Sequence, residues 1–173
     1  IARRQGVRYS VLTPNMKGFE AALASRPHEI VVFGAASEAF SKRNINCSIA
    51  ESVERFAPVV KAARDRGIYV RGAISCAVGC PYQGEVAPSQ VEMLARLMKE
   101  IGVQHVGVAD TIGVGTPVTV HPALEAPPQP HGLAHASRHF HATYRQPLAP
   151  PLSPLPVALR PTAPPCAAPA APP

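Results

Sequence analysis

The stretch His105-Val106-Gly107-Val108-Ala109-Asp110-Thr111-Ile112-Gly113-Val114-Gly115-Thr116-Pro117 decides how the rest of the chain is read. It begins as a short apolar strand, places one carboxylate at the strand's end, and runs directly into a glycine-rich turn. Val106, Val108 and Ile112 surround Asp110 in sequence, and nothing nearby would hold its side chain at a solvated face. Asp110 is therefore the acidic residue predicted to sit deepest. Two readings are open for it: a catalytic carboxylate at a strand's C-terminal end, or a cap for the turn that follows.

Outward from this stretch the pattern alternates. Pro88 at a first helical turn, with Ser89 before Gln90, opens a helix that runs through Lys99 and stops at Gly102. Before it, residues 68–76 read as a β-branched strand. Ser48 stands three residues ahead of Glu51, a capping box that predicts a helix from Ile49 to about Arg66, ended by Gly67. Val53, Phe56, Val59, Val60 and Ala63 form its predicted buried face. The polar segment 41–47 reads as a loop. Glu29-Ile30-Val31-Val32-Phe33 is a near-continuous apolar strand, the kind buried on both faces of a parallel sheet. Residues 17–25 carry Phe19, Ala22 and Leu23 at helical spacing, and residues 7–12 read as the first strand, stopped at Thr13-Pro14-Asn15.

Strands and helices that alternate with short connections demand a parallel sheet with right-handed crossovers. Four such strands fit an open doubly wound sheet or part of an eight-stranded barrel. No strand-to-helix turn carries a dinucleotide G-x-G-x-x-G, since Gly113-Val114-Gly115 lacks the third glycine, and this leans to the barrel. Barrels of this class keep their chemistry at the C-terminal ends of the strands.

A length of 173 residues suffices for one domain with a real core, but the 46% hydrophobic content averages two unlike parts. Beyond Val120 lie 15 of the 21 prolines, five of the seven histidines and a single acid, Glu125. The net charge of +6 draws partly on that acid-poor segment. Upstream, the basic residues are interleaved with acids on helix faces, and there is no Trp or aromatic cluster, so no nucleic-acid partner is expected. No apolar run approaches the ~18 residues of a membrane span, and no membrane partner is expected. Cys47, Cys76, Cys80 and Cys166 make no disulfide framework at this length. Cys76-x3-Cys80 lacks a second ligand pair for zinc, so ordinary packing cysteines are expected, and Cys47 is read the same way.

Taken together, Ser10-Val11-Leu12-Thr13-Pro14-Asn15-Met16-Lys17-Gly18, Phe33-Gly34-Ala35-Ala36-Ser37-Glu38, Asn44-Ile45-Asn46-Cys47-Ser48, Val70-Arg71-Gly72, Ser75-Cys76-Ala77-Val78-Gly79-Cys80-Pro81-Tyr82 and Asp110-Thr111-Ile112-Gly113-Val114-Gly115-Thr116-Pro117 resemble the blocks of the hydroxymethylglutaryl-CoA lyase family. The resemblance covers residues 1–120 and resumes at 139–149. The last block is shared with isopropylmalate and homocitrate synthases, which stand as the alternative. The Asn44 and Ser75 blocks single out the lyase. The resemblance implies a TIM (β/α)8 barrel, here about strands 3 to 7. It also implies metal-dependent cleavage of a carbon–carbon bond in an acyl-CoA substrate, with Mg or Mn as the divalent cation, in leucine degradation and ketone-body formation. By resemblance His139 and His141 are the metal-binding histidines, Asp110 is catalytic, and Arg71 and Asn44 occupy strand-end positions that face the substrate. A His-x-His on a strand puts both rings on one face, about 7 Å apart, as a shared ion requires. The implied setting is the bacterial cytoplasm, or the mitochondrial matrix in a eukaryote, with a homodimer as the assembly.

The chain also departs from the family. Its first barrel strands, with an Arg-Asp pair, and a glycine-rich loop bearing the catalytic cysteine have no counterpart here, and Cys166 does not match that loop. Ala142 and Arg145 replace a family Asp and Gly. We expect a fragment with three parts: partial barrel at 1–120, a degraded continuation with the His-x-His strand at 121–149, and a Pro/Ala-rich disordered tail at 150–173. Proline blocks both helix and sheet ladder, so no eighth strand is expected there. A frame-shifted translation is the expected origin of the tail, with a proline-rich interaction module as its rival. The chain alone is expected to be inactive.

Overall fold

The computed structural model describes residues 2–126 and 136–140. The elements are β1 (Ser10–Leu12), α1 (Met16–Leu23), β2 (Glu29–Ala35), α2 (Glu38–Ile45), α3 (Ile49–Arg64), β3 (Tyr69–Ser75), α4 (Pro88–Glu100), β4 (His105–Asp110), α5 (Pro117–Glu125) and β5 (Ala136–Phe140). All five strands are parallel and lie in the order β1-β2-β3-β4-β5. A doubly wound sheet must reverse its strand order at a switch point. None occurs here. Each strand is laid beside the previous one in the same direction, so right-handed crossovers bring the helices to one face. The result is an arc of a TIM-barrel wall.

Strand register fixes which side chains share a face. Val32 pairs with Gly72, Gly34 with Ile74, and Gly72 with Val106. This set turns to the helices: Ile30, Val32, Val70, Ile74, Val106 and Val108 are at most 3% exposed. Burying each such side chain contributes about 1.5–3 kcal/mol. Helix α4 comes in so close over β2 and β3 that a side chain at two strand positions would press on it. A Cβ on Gly34 would sit 3.1 Å from Leu94 Cδ2, and one on Gly72 would sit 2.7 Å from Met98 Sδ. The alternate face carries Glu29, Arg71, Ala73 and Ser75, which are only half-buried.

Helix α3 starts as its capping box predicts. Ser48 Oγ accepts from the Glu51 N–H at 3.2 Å, and Glu51 Oε2 accepts from the Ser48 N–H at 2.7 Å. Val53, Phe56, Val59, Val60 and Ala63 are all buried. The segment expected to be a loop at 41–47 is instead mostly helix α2. Ser37 caps it, Glu38 sits in its first turn, Lys42 and Arg43 in its last, and Asn46 closes it at φ 52. Only Ser41 of its residues is buried, so it presents no apolar stripe for a sequence pattern to detect. Helix α5 runs through residue 120, with Val120, Ala123 and Leu124 buried, and β5 pairs with β4, so described elements lie beyond the change in composition. The residues from 141 on, including His141, Cys166 and the proline-rich tail, lie outside the described residues. Among those described, no helix is long and apolar enough to cross a membrane.

Replacing Gly72 by Ala pushes a methyl group onto Met98 Sδ and Val103 Cγ1. The expected cost is about 1–3 kcal/mol of stability. Urea unfolding followed by circular dichroism checks it, and an unchanged midpoint would contradict the close approach of α4.

Candidate functional site

The loops that leave β2, β3 and β4 meet at the C-terminal end of the sheet. The last of them is organised around Asp110, which is 3% exposed. Its Oδ1 accepts from the Gly113 N–H at 3.0 Å and the Val114 N–H at 3.2 Å, and its Oδ2 accepts from the Gly115 N–H at 2.8 Å. Three backbone donors converging on one carboxylate compensate its loss of water. The glycines are what make this possible. Gly113 adopts φ +70, and a Cβ on Gly115 would sit 2.8 Å from Asp110 Oδ2. Thr116 then caps α5 by accepting from the Thr119 N–H.

The β3 loop is tied to this turn. Thr111 Oγ1 accepts from the Cys76 N–H at 2.7 Å, and Ala109 O accepts from the Ala77 N–H at 3.0 Å. Cys76 takes φ 55, a left-handed conformation unusual for a side-chain-bearing residue. Gly79 leaves no room for a Cβ, which would lie 2.7 Å from Val114 Cγ2. On the β2 side, the Ser37 hydroxyl lies 3.0 Å from Cys80 Sγ and 2.9 Å from Gln83 Oε1, and it accepts from the Phe40 N–H at 3.1 Å. Tyr82 sits at the rim against Phe40, with the Arg43 guanidinium 4.5 Å from its ring centroid.

The two loop cysteines differ in character. Burial pushes the Cys76 thiol up to about 12. Burial also works against ionisation of Cys80. Hydrogen bonds from Ser37, from the Tyr82 and Gln83 backbone N–H groups and from Cys76 outweigh it and hold that thiol below the ordinary cysteine value.

The residues expected to form a site are not gathered at one point. His139, one residue before the end of β5, is in register with Ala109, so it shares a sheet face with Ala73 and Arg71, and it is exposed. Asp110 pairs with Phe140 and therefore belongs to the alternate face. Arg71 is not at a strand end: it is the third residue of β3, and its Nε donates to Glu29 Oε1 at 2.9 Å, toward the N-terminal end of the sheet. The alternation of a seven-residue strand carries this arginine inward well before the loop begins. Asn44 is likewise not at a strand end but exposed on α2. His141 is outside the described residues. Among those described, no group of three His, Cys, Asp or Glu side chains could hold a metal ion. The exposed His139 imidazole at a strand's C-terminal end is of the donor class that suits a divalent cation. Ser37, Thr111 and Gln83 were missed as participants. The signals available were that Ser37 and Thr111 each follow a predicted strand and lie in blocks that carry the resemblance. A cavity of about 500 Å³ lined by Arg3, Tyr9, Ser10, Val11, Ser25 and Arg26 lies beside β1 and includes none of the expected site residues.

Comparison with known proteins places this geometry in context. A family described as HMGL-like matches residues 2–153. The chain is 52% identical over 149 residues to the 3-hydroxy-3-isohexenylglutaryl-CoA/hydroxy-methylglutaryl-CoA lyase of Pseudomonas aeruginosa, covering 86% of this chain and 50% of that protein. It is 49% identical to the human mitochondrial hydroxymethylglutaryl-CoA lyase, covering 86% of this chain and 46% of that one. The crystal structure of the HMG-CoA lyase from Brucella melitensis superposes with a TM-score of 0.78 at 50% identity, over 83% of this chain and 50% of that one. The chain thus spans about half the length of the curated relatives it matches.

Exchange of Asp110 for Asn removes one acceptor oxygen and points an amide at backbone donors. The expected loss is about 1–3 kcal/mol. Hydrogen exchange should accelerate at the Gly113, Val114 and Gly115 amides and stay unchanged in the middle of α3. Unchanged exchange in the turn would show that it does not depend on the carboxylate.

Proposed function

Because the chain belongs to the HMGL-like family, we propose that it carries part of the barrel of a lyase that splits 3-hydroxy-3-methylglutaryl-CoA into acetyl-CoA and acetoacetate. The observation that carries this reading is a convergence. The blocks that resemble the lyase, after β2, β3 and β4, lie at the same end of the sheet as His139, the end where barrels hold their reactive groups.

Breaking the bond requires the tertiary hydroxyl to give up its proton and the carbon left on the thioester to bear developing negative charge. A magnesium or manganese ion held by His139 and His141 would supply Lewis acidity toward that hydroxyl. The remaining tasks fall to the chain. Asp110 serves as a positioning residue that holds the Gly113–Gly115 turn at the mouth of the sheet. Arg71 faces the interior and is paired with Glu29, so it meets a substrate carboxylate only by exchanging one carboxylate for the other. Asn44 stands on the exposed rim, where the long acyl-CoA chain enters. A reaction on a soluble thioester suits the bacterial cytoplasm or the mitochondrial matrix, and the isolated chain is read as inactive because it spans about half the length of its relatives.

The test is a chimera in which residues 2–126 replace the matching segment of the Pseudomonas aeruginosa relative, assayed for acetoacetate with Mg or Mn. The expected result is turnover within about tenfold of that relative, and in a second chimera extended to residue 140 a His139→Ala change should lower it at least about a hundredfold. A folded, dimer-competent chimera without activity would overturn the assignment. The chain by itself is expected to give none, and measurable turnover there would refute its dependence on the remaining barrel strands.

A further inference from the structure

At the end of the sheet away from the loops described above, the cavity of about 500 Å³ lies beside the start of β1 and the turn that joins α1 to β2. Its size falls in the range of small-molecule sites. Two arginines line it, Arg3 and Arg26, and no acidic residue does. The acid nearest Arg26 in sequence, Glu29, is paired with Arg71. Arg3 is fixed in place: its Nη2 donates to Ser25 O and to Arg26 O, and its guanidinium carbon lies 5.2 Å from the Tyr9 ring centroid. A guanidinium carries five N–H donors, so these bonds leave others for a ligand. Tyr9 is held in turn by the Arg4 N–H, which donates to its hydroxyl at 3.0 Å, and by the stacked ring of His28. The hydroxyls of Tyr9 and Ser10 and the guanidinium of Arg26 donate to nothing among the described residues. Arg26 also sits at φ 47, a left-handed position just past a helix end, where glycine is the usual occupant. The turn itself would be better served by glycine, so it does not account for an arginine there.

We propose that this cavity binds a small organic phosphate, with Arg3 and Arg26 as its anion-binding residues. Guanidinium forks match the oxygens of a phosphate and keep their charge at any physiological pH. Tyr9 and Ser10 supply hydroxyl donors to the remaining phosphate oxygens. Ser25 Oγ already donates to Ala22 O at 2.7 Å, so toward a ligand it offers an acceptor for a hydroxyl on the organic part. Val11 and Ala24 add an apolar portion to the wall. A bare ion would use neither that portion nor the full volume, which is why an organic group is assigned along with the phosphate. The ligand would join Arg3, in the segment before β1, to Arg26, in the turn before β2. It binds the folded chain alone and so stabilises it by mass action. The assignment is independent of the reaction proposed above, because the loops that carry that reaction leave the other end of the sheet.

The experiment uses the whole 173-residue chain and glycerol 3-phosphate as the probe, with binding followed by the backbone amide signals in nuclear magnetic resonance. The amides of Ser10, Val11, Ser25 and Arg26 should shift as the probe is added, and those of the Gly113–Gly115 turn should stay in place. Glycerol should shift none of them, and inorganic phosphate should bind at least about fivefold more weakly than the ester. Arg26→Gly keeps the left-handed turn without strain. Its melting temperature without ligand should therefore not fall, while its Kd should rise at least about tenfold. Arg3→Gln should weaken binding by a similar factor. The proposal is overturned if the four amides stay still at about 10 mM probe, or if the Arg26→Gly chain binds as well as the native one. Shifts confined to the Gly113–Gly115 turn, or inorganic phosphate binding as tightly as the ester, would overturn it too.

Discussion

A carboxylate withdrawn from water has to be met by donors, and the loop after β4 is shaped to meet the one on Asp110. Three consecutive backbone N–H groups, from Gly113 to Gly115, turn inward to it. That requirement sets the conformation of the turn, the need for a glycine with positive φ, and the need for another with no Cβ. It also sets the angle at which Thr116 and Pro117 begin α5. The residue that follows the carboxylate then anchors the neighbouring loop, through Thr111 and the Cys76 N–H. One satisfied charge thus aligns two of the loops at the mouth of the sheet.

The sheet beneath is held by a different economy, that of close packing. Valine and isoleucine cover the helix-facing side of β2, β3 and β4, and glycine appears where α4 needs to come nearest. The opposite side is left half-open because it faces the interior of a barrel of which this chain spans part. An ion pair such as Arg71 with Glu29 is stable there because neither partner is fully stripped of water. The same partial openness leaves His139 accessible at its strand end, which is what a residue proposed to hold a cation requires.

Much of the fold was legible in the sequence. Alternating strand and helix patterns, the Ser48–Glu51 capping box and the β-branched runs at β2, β3 and β4 correspond to elements that form, and the family resemblance agrees with the comparisons across most of the chain. Helix α2 was not legible, because a helix that buries one serine carries no apolar periodicity, and its caps only become recognisable once β2 is known to end at Ala35. Of the candidate site, Asp110 was legible as buried and as one of two things. Its cap geometry came from the structure, since hydrogen-bond donors on backbone leave no mark in a residue pattern.

What the sequence determined by itself was the class of fold and the kinship, because both rest on local periodicity and on blocks of residues that can be read one after another. The tertiary structure decided which of those residues share a face. Register placed Asp110 opposite to His139, turned Arg71 toward Glu29, and brought Ser37, Cys76 and Cys80, separated by up to 43 positions, into one network. Side-chain direction in a sheet depends on pairing between strands, and pairing is a property of the folded chain that no single stretch of it contains.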